Sequence, residues 1–124
     1  MKVLVADDDD NFRNLVIAIL TEDGYEVAAE VNGRLAWENL QANGADMAVL
    51  DINMPEMVGF ELLRHIRTDS RFKDMPVLML TIRAFAEDQV TGYDTGADDY
   101  LTKPFANDVF LSRIKVLERR ILKK

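Results

Sequence analysis

The chain has 124 residues, about the size of one domain, and 48% of them are hydrophobic, which is enough to form a buried core. A net charge of −7 argues against direct binding to nucleic acid, and the lack of cysteine excludes disulfides, thiol nucleophiles and thiolate metal sites. No apolar stretch is long enough for a secretory signal or a membrane span, so we expect a cytoplasmic protein with one domain over residues 1–124.

Short apolar runs alternate with segments of helical periodicity along the chain. The apolar runs predict five strands, at residues 2–6, 25–30, 47–50, 76–80 and 99–102. Apolar residues at helical spacing predict five helices, at residues 12–20, 34–42, 59–67, 86–93 and 110–121. Because most of the strand runs are apolar and the strands alternate with helices, we predict a doubly wound α/β domain with a parallel sheet covered on both faces.

Polar side chains directly follow four of the five predicted strands. They are Asp7 and Asp8 after the first strand, Asp51 and Asn53 after the third, Thr81 after the fourth, and Lys103 after the fifth. Ligands of open α/β sheets bind beyond the carboxyl ends of the strands, so we expect these residues to line the functional site.

Three of these side chains are carboxylates, which repel one another when the sheet brings them together. Each pair at ~4 Å would cost about 4 kcal/mol at an effective dielectric of ~20, so a positive charge has to lie among them. Oxygen ligands without cysteine favour a hard cation, and an open acidic cluster suits Mg²⁺ better than a Ca²⁺ cage. Lys103 would supply further positive charge.

Several features between Lys2 and Arg120 follow one another in a distinctive order. They are Val5-Ala-Asp7-Asp8, Leu50-Asp51-Ile-Asn53-Met54-Pro55, Gly59, Thr81, Tyr100 and Lys103-Pro104-Phe105. This order resembles the receiver domain of response regulators, the phosphoacceptor half of two-component signalling systems. The resemblance implies a flavodoxin-like fold with five helices and the strand order 2-1-3-4-5.

The resemblance assigns roles in phosphoryl transfer. Asp51 would be the nucleophile that accepts a phosphoryl group from a phosphohistidine of a sensor histidine kinase or a histidine phosphotransfer protein. Thr81 and Lys103 would each contact a phosphoryl oxygen, and Tyr100 would follow Thr81 inward as the state changes. The Lys103-Pro104 peptide bond is expected to be cis. The protein would then be a regulatory phosphoacceptor, catalysing only its own phosphorylation and slow autodephosphorylation.

The resemblance also implies a metal site. Asp8, Asp51 and the backbone carbonyl of Asn53 are the expected direct ligands of Mg²⁺, with Mn²⁺ as a substitute. Asp7 would act mainly through a metal-bound water.

Three residues depart from the common pattern or occupy positions that tune the phosphate lifetime. Ile82 stands where a small residue commonly follows the threonine, and its bulk would narrow access to Asp51. Asn53 and Arg83, two residues beyond Asp51 and Thr81, occupy the other tuning positions.

The fourth helix, last strand and fifth helix form the expected output face. Asp98, Asp99, Arg113 and Arg120 match charged positions of symmetric receiver dimers, so a homodimer through this face and an output domain absent from this chain are both open. Surface ion pairs contribute only ~0–1 kcal/mol each, so these four residues could equally be a solvated face.

Two other functions use related residues. A phosphatase of the haloacid dehalogenase type also combines an Asp nucleophile with Thr or Ser, Lys and an acidic pair, but its nucleophile usually follows the first strand. A pseudoreceiver would serve only as an interaction module, against which the complete set of Asp8, Asp51, Thr81 and Lys103 argues.

Overall fold

The computed structural model describes residues 1–82 and 96–123, which contain a single parallel sheet of five strands. The sheet order is β2-β1-β3-β4-β5, as the resemblance implied. The strands are β1 (Lys2–Ala6), β2 (Glu26–Glu30), β3 (Met47–Asp51), β4 (Val77–Thr81) and β5 (Asp99–Thr102).

Four helices within the described residues cover the sheet on both faces, as the apolar strands predicted. They are α1 (Asp10–Glu22), α2 (Gly33–Asn43), α3 (Gly59–Thr68) and α4 (Asn107–Leu122). One buried cluster joins a face of the sheet to α1 and α4, and the other joins the opposite face to α2 and α3. No helix in this part of the chain is long and apolar enough to cross a membrane.

The predicted boundaries differ from the observed ones by a few residues. β3 and β4 each end one residue later than predicted, at Asp51 and Thr81, because backbone pairing continues past the last apolar side chain. β4 begins at Val77 rather than Pro76, and the last helix begins at Asn107, three residues before Phe110. The predicted helix over residues 86–93 lies outside the described residues.

The register of the sheet brings the polar strand ends to one edge. Ala6 pairs with Leu50, Asp51 with Leu80, and Thr81 with Thr102. The strands therefore end almost level with one another, and the residues that follow β1, β3, β4 and β5 emerge on the same side of the molecule. Each central strand therefore brings at least one of the predicted site residues to this edge.

The connection from β3 to α3 is tightly packed against the strand that carries Asp51. A Cβ atom on Gly59 would lie 2.3 Å from the backbone oxygen of Asp51, so a larger residue would not fit here. Glu56, in the same connection, has a φ of 68°, and its carboxylate pairs with Arg34 of α2 at 2.9 Å. The loop beyond Asp51 is therefore held to both α2 and α3.

Candidate functional site

Three carboxylates meet at the carboxyl edge of the sheet. Asp7, Asp8 and Asp51 each place one oxygen within 4.8 Å of the others. Asp7 and Asp51 are buried, whereas Asp8 is exposed. The structure thus brings together the acidic residues that the sequence predicted, and one of them, Asp8, faces solvent.

Lys103 places its ammonium group between the two buried carboxylates. Its Nζ lies 2.7 Å from Oδ2 of Asp7 and 3.5 Å from Oδ1 of Asp51, and the side chain is 4% exposed. A buried ion pair is costly unless it is well hydrogen bonded, so two carboxylate partners help to hold this ammonium. In this structure the closer of the two partners is Asp7.

Asp7 has a hydrogen-bond donor on each side-chain oxygen. Oδ2 accepts from Lys103, and Oδ1 accepts from the backbone N–H of Asp9 at 2.9 Å. Asp9 in turn caps α1 by accepting from the backbone N–H groups of Asn11 and Phe12. Asp9 therefore caps the helix, while Asp7 belongs to the site.

Asp51 binds its proton more tightly than an ordinary aspartate. Burial raises the pKa of Asp51 from 3.8 to about 6, the nearby positive charge of Lys103 opposes this shift, and the negative charges of Asp7 and Asp8 add to it. The charged form of the Asp51 carboxylate is thus held at an energetic disadvantage that a cation can relieve.

An open cleft gives access to this group. Its lining residues are Asp8, Asp9, Phe12, Asp51, Asn53, Ile82 and Lys103. Asn53 and Ile82 therefore lie beside Asp51, as predicted, and Ile82 is 71% exposed at the cleft. Arg83, the third predicted tuning residue, lies outside the described residues.

Thr81 and Tyr100 lie on the same face of the sheet. Tyr100 pairs with Met79, so Thr81 is two residues beyond the register position of Tyr100 on the neighbouring strand. Both residues are buried, Thr81 at 0% and Tyr100 at 7% exposure. The tyrosine ring is part of the cluster beneath α2 and α3 in this structure.

The structure also places two residues at the site that the sequence did not single out for function. The Phe12 ring centroid lies 4.6 Å from the Lys103 ammonium, and Arg13 donates to the backbone oxygen of Asp7 at 3.0 Å. Helical spacing identified Phe12 only as an apolar residue of α1. Its place four residues after Asp8 was the sequence feature that could have indicated this contact.

The peptide bond between Lys103 and Pro104 is cis, as the resemblance implied.

Comparison with known proteins places this geometry in a family. Residues 3–115 match the response regulator receiver domain. The chain belongs to this family. Receiver domains are regulatory modules of two-component systems, and they typically bind Mg²⁺ through acidic residues such as those clustered here. The comparisons give no support to a phosphatase of the haloacid dehalogenase type.

Relatives of this receiver domain include single-domain and larger proteins. The chain is 40% identical to chemotaxis protein CheY1 of Helicobacter pylori over 120 residues, covering 94% of this chain and 96% of that protein. It is 40% identical to regulatory protein VanRB of Enterococcus faecalis over 120 residues, covering 97% of this chain but only 53% of that protein. The solved structure of CheY4 of Vibrio cholerae superposes with a TM-score of 0.89 at 36% identity, covering 94% of this chain and 97% of that one.

The charged residues predicted for a dimer contact are paired within the receiver domain itself. Asp98 pairs with Arg67 at 2.8 Å and with Arg120 at 3.1 Å. Asp99 pairs with Arg113 at 2.9 Å. A symmetric dimer using these charges would have to share or exchange the pairs that the single chain already makes.

The raised pKa of Asp51 predicts a specific dependence of stability on pH. Because the folded state binds this proton more tightly than the unfolded state, the metal-free protein loses stability as pH rises from about 4 through about 6. A shift from 3.8 to about 6 corresponds to about 3 kcal/mol at neutral pH. Asp51→Asn removes this titration and should therefore gain stability relative to wild type as the pH rises.

Urea denaturation in a metal chelator at pH 4.5 and pH 7.5 measures this effect. We expect the stability difference between variant and wild type to shift in favour of Asp51→Asn by about 1–3 kcal/mol at the higher pH. The same substitution at Asp10, an exposed carboxylate outside the cluster, serves as control. A difference that does not change with pH would show that Asp51 titrates normally.

Proposed function

We propose that Asp51 is the phosphoacceptor of this receiver domain and that the surrounding side chains assist the transfer. The observation that carries this proposal is the convergence of Asp7, Asp8 and Asp51 within 4.8 Å beside the Lys103 ammonium, in an open cleft. A buried carboxylate with a cation nearby and an access route is suited to attack an incoming phosphoryl group.

In the proposed transfer, an Asp51 oxygen attacks phosphorus while the P–N bond of the donor phosphohistidine breaks and a P–O bond forms. The imidazole leaves, and Asp51 becomes an acyl phosphate. Lys103 already lies 3.5 Å from Asp51, close enough for its charge to offset that of the arriving phosphoryl oxygens. We assign Thr81, at the end of the neighbouring strand, as hydrogen-bond donor to another of these oxygens.

The donor set fits Mg²⁺. The cluster offers carboxylate oxygens, and the exposure of Asp8 leaves one side of the site open to water, as this cation prefers. Asp8, Asp51 and the backbone carbonyl of Asn53 would hold the ion directly. The role of Asp7 through a water molecule is supported by its two oxygens, each of which already accepts a hydrogen bond. Bound Mg²⁺ would supply positive charge for the carboxylates and the phosphoryl group.

The partner in this scheme is a sensor histidine kinase or a histidine phosphotransfer protein. We also propose that the domain transmits its state to another protein or to an output domain. The chain covers 96% of the chemotaxis relative but about half of regulators such as VanRB, so the relatives support both arrangements. Homodimerisation through β5 and α4 would use the ion-paired residues of that surface.

Two cleft residues are proposed to set the phosphate lifetime. Ile82 is exposed at the cleft and limits the approach of water or of a donor to Asp51. Asn53 lines the same cleft two residues beyond Asp51. Arg83 is proposed for the same role from its place in the sequence alone.

Phosphorylation by a small donor tests the proposed function. Incubation with phosphoramidate and Mg²⁺ should add one phosphate to wild type, stable in acid and labile in base, and none to Asp51→Asn. Asp46→Asn is a matched control at an exposed aspartate near the opposite end of the sheet and should be phosphorylated normally. A wild-type protein that takes up no phosphate would indicate a pseudoreceiver, and steady turnover of a phosphate monoester would indicate a phosphatase.

Metal binding should depend on Asp8 and Asp51 because a divalent ion relieves the repulsion between the clustered carboxylates. We expect Asp8→Ala to weaken Mg²⁺ binding at least tenfold in calorimetry, the equivalent of ~1.4 kcal/mol. Asp10→Ala, which removes an exposed carboxylate two positions away, should bind like wild type. Equal affinities for Asp8→Ala and wild type would exclude Asp8 as a ligand.

We propose that Thr81 and Tyr100 couple phosphorylation to the output face. A hydroxyl hydrogen bond to a charged group contributes about 1.5–3 kcal/mol, enough for a roughly tenfold to hundredfold shift between two states. Thr81→Ala should therefore still accept phosphate on Asp51 but show smaller amide chemical-shift changes along β5. Shifts as large as those of phosphorylated wild type would mean that the signal reaches β5 by another route.

A further inference from the structure

The Lys103 ammonium lies against an aromatic ring as well as beside two carboxylates. Its Nζ is 4.6 Å from the centroid of the Phe12 ring, which is within the range of a cation–π interaction. The Lys103 side chain is 4% exposed, so little water competes for the charge. Cation–π attraction is stronger when the cation is desolvated, and this pair meets that condition.

Two contacts fix the position of Phe12, one through its backbone and one through its ring. Its backbone N–H donates to the capping carboxylate of Asp9, which fixes the first turn of α1. The ring also packs against Phe105 at 6.1 Å between centroids, and Phe105 stacks on Phe110 at 5.2 Å. Phe110 is completely buried, so this aromatic column is anchored in the core beneath α4.

The Phe12 ring attracts the Lys103 ammonium in a less directional way than the carboxylates do. Asp7, at 2.7 Å, is the nearer partner of Lys103 and competes with Asp51, at 3.5 Å, for the same ammonium. A carboxylate binds the ammonium through a directed hydrogen bond, whereas a ring face attracts it over a wider area. The ring can therefore still bind the ammonium while one hydrogen bond of the ammonium moves from a carboxylate to another acceptor.

We propose that Phe12 is a positioning residue for phosphoryl transfer. Its ring face keeps the Lys103 ammonium between Asp7 and Asp51, available to the phosphoryl oxygens. Without the ring, nothing but the carboxylates holds the ammonium while its hydrogen bond passes from a carboxylate to a phosphoryl oxygen, which slows the reaction. This inference rests on the proposed role of Asp51 as phosphoacceptor.

Fluorination of the ring tests the proposal with almost no change of shape. Successive fluorine atoms on Phe12 weaken the negative ring face, so the rate of phosphorylation by phosphoramidate at saturating Mg²⁺ should fall stepwise, by about tenfold in the trifluorinated protein. The same analogues at Phe105, which packs in the same aromatic column, should leave the rate within about twofold of wild type. Phe12→Leu should be slow, and Phe12→Tyr should restore the rate.

Three further measurements separate positioning from structural damage. Calorimetry should give Mg²⁺ affinities within about twofold of wild type for the Phe12 series, and urea denaturation should show that each variant is folded. In NMR spectra, the ε-methylene protons of Lys103 should lose their ring-current shift in Phe12→Leu but keep it in Phe105→Leu.

A flat rate across the fluorinated Phe12 series, or an equal loss in the Phe105 series, would overturn the proposal. Its failure can be distinguished from failure of the proposed function. If wild type takes up phosphate on Asp51 while the Phe12 series shows no trend, only the role of Phe12 is wrong. If wild type takes up no phosphate, the phosphoacceptor assignment itself is wrong.

Discussion

The ammonium group of Lys103 is the charge on which the site depends. Two buried carboxylates, Asp7 and Asp51, lie at the same edge of the sheet, and their mutual repulsion would oppose the fold if no cation lay between them. One ammonium at 2.7 and 3.5 Å from the two carboxylates opposes this repulsion, but burial still raises the pKa of Asp51 to about 6. A further positive charge at this edge of the sheet would therefore stabilise the charged form of Asp51.

The architecture explains how such an unfavourable cluster is held together. β1 and β3 are buried almost completely, and their pairing fixes the backbone from which Asp7 and Asp51 extend. The cost of placing carboxylates near one another is offset by the burial of the apolar strands that lead to them. In β1 and β3 the apolar residues thus supply stability, while the aspartates at or just beyond their ends, Asp7 and Asp51, belong to the candidate site.

Much of this arrangement could be predicted from sequence. The apolar strand runs indicated the parallel sheet, and the polar residues after four of the runs indicated the site, because both depend on local patterns that the backbone converts directly into position. The preference of Lys103 for Asp7 over Asp51 could not be predicted, since it depends on distances set by the packing of α1 and β5. Helical spacing explained Phe12 fully as an apolar residue, so its contact with Lys103 became visible only in three dimensions. The pairing of Asp98 and Asp99 within the chain likewise required the relative placement of α3, β5 and α4.

The close approach of Gly59 to the backbone of Asp51 has a mechanical consequence. With 2.3 Å between the position of a Cβ atom and the Asp51 oxygen, and a hydrogen bond from the Gly59 N–H to the Ile52 oxygen, the start of α3 is fastened to the end of β3. This joint leaves no room for a side chain, so backbone contacts alone join the end of β3 to the start of α3. A shift of the backbone at Asp51 would therefore be passed directly to the first turn of α3.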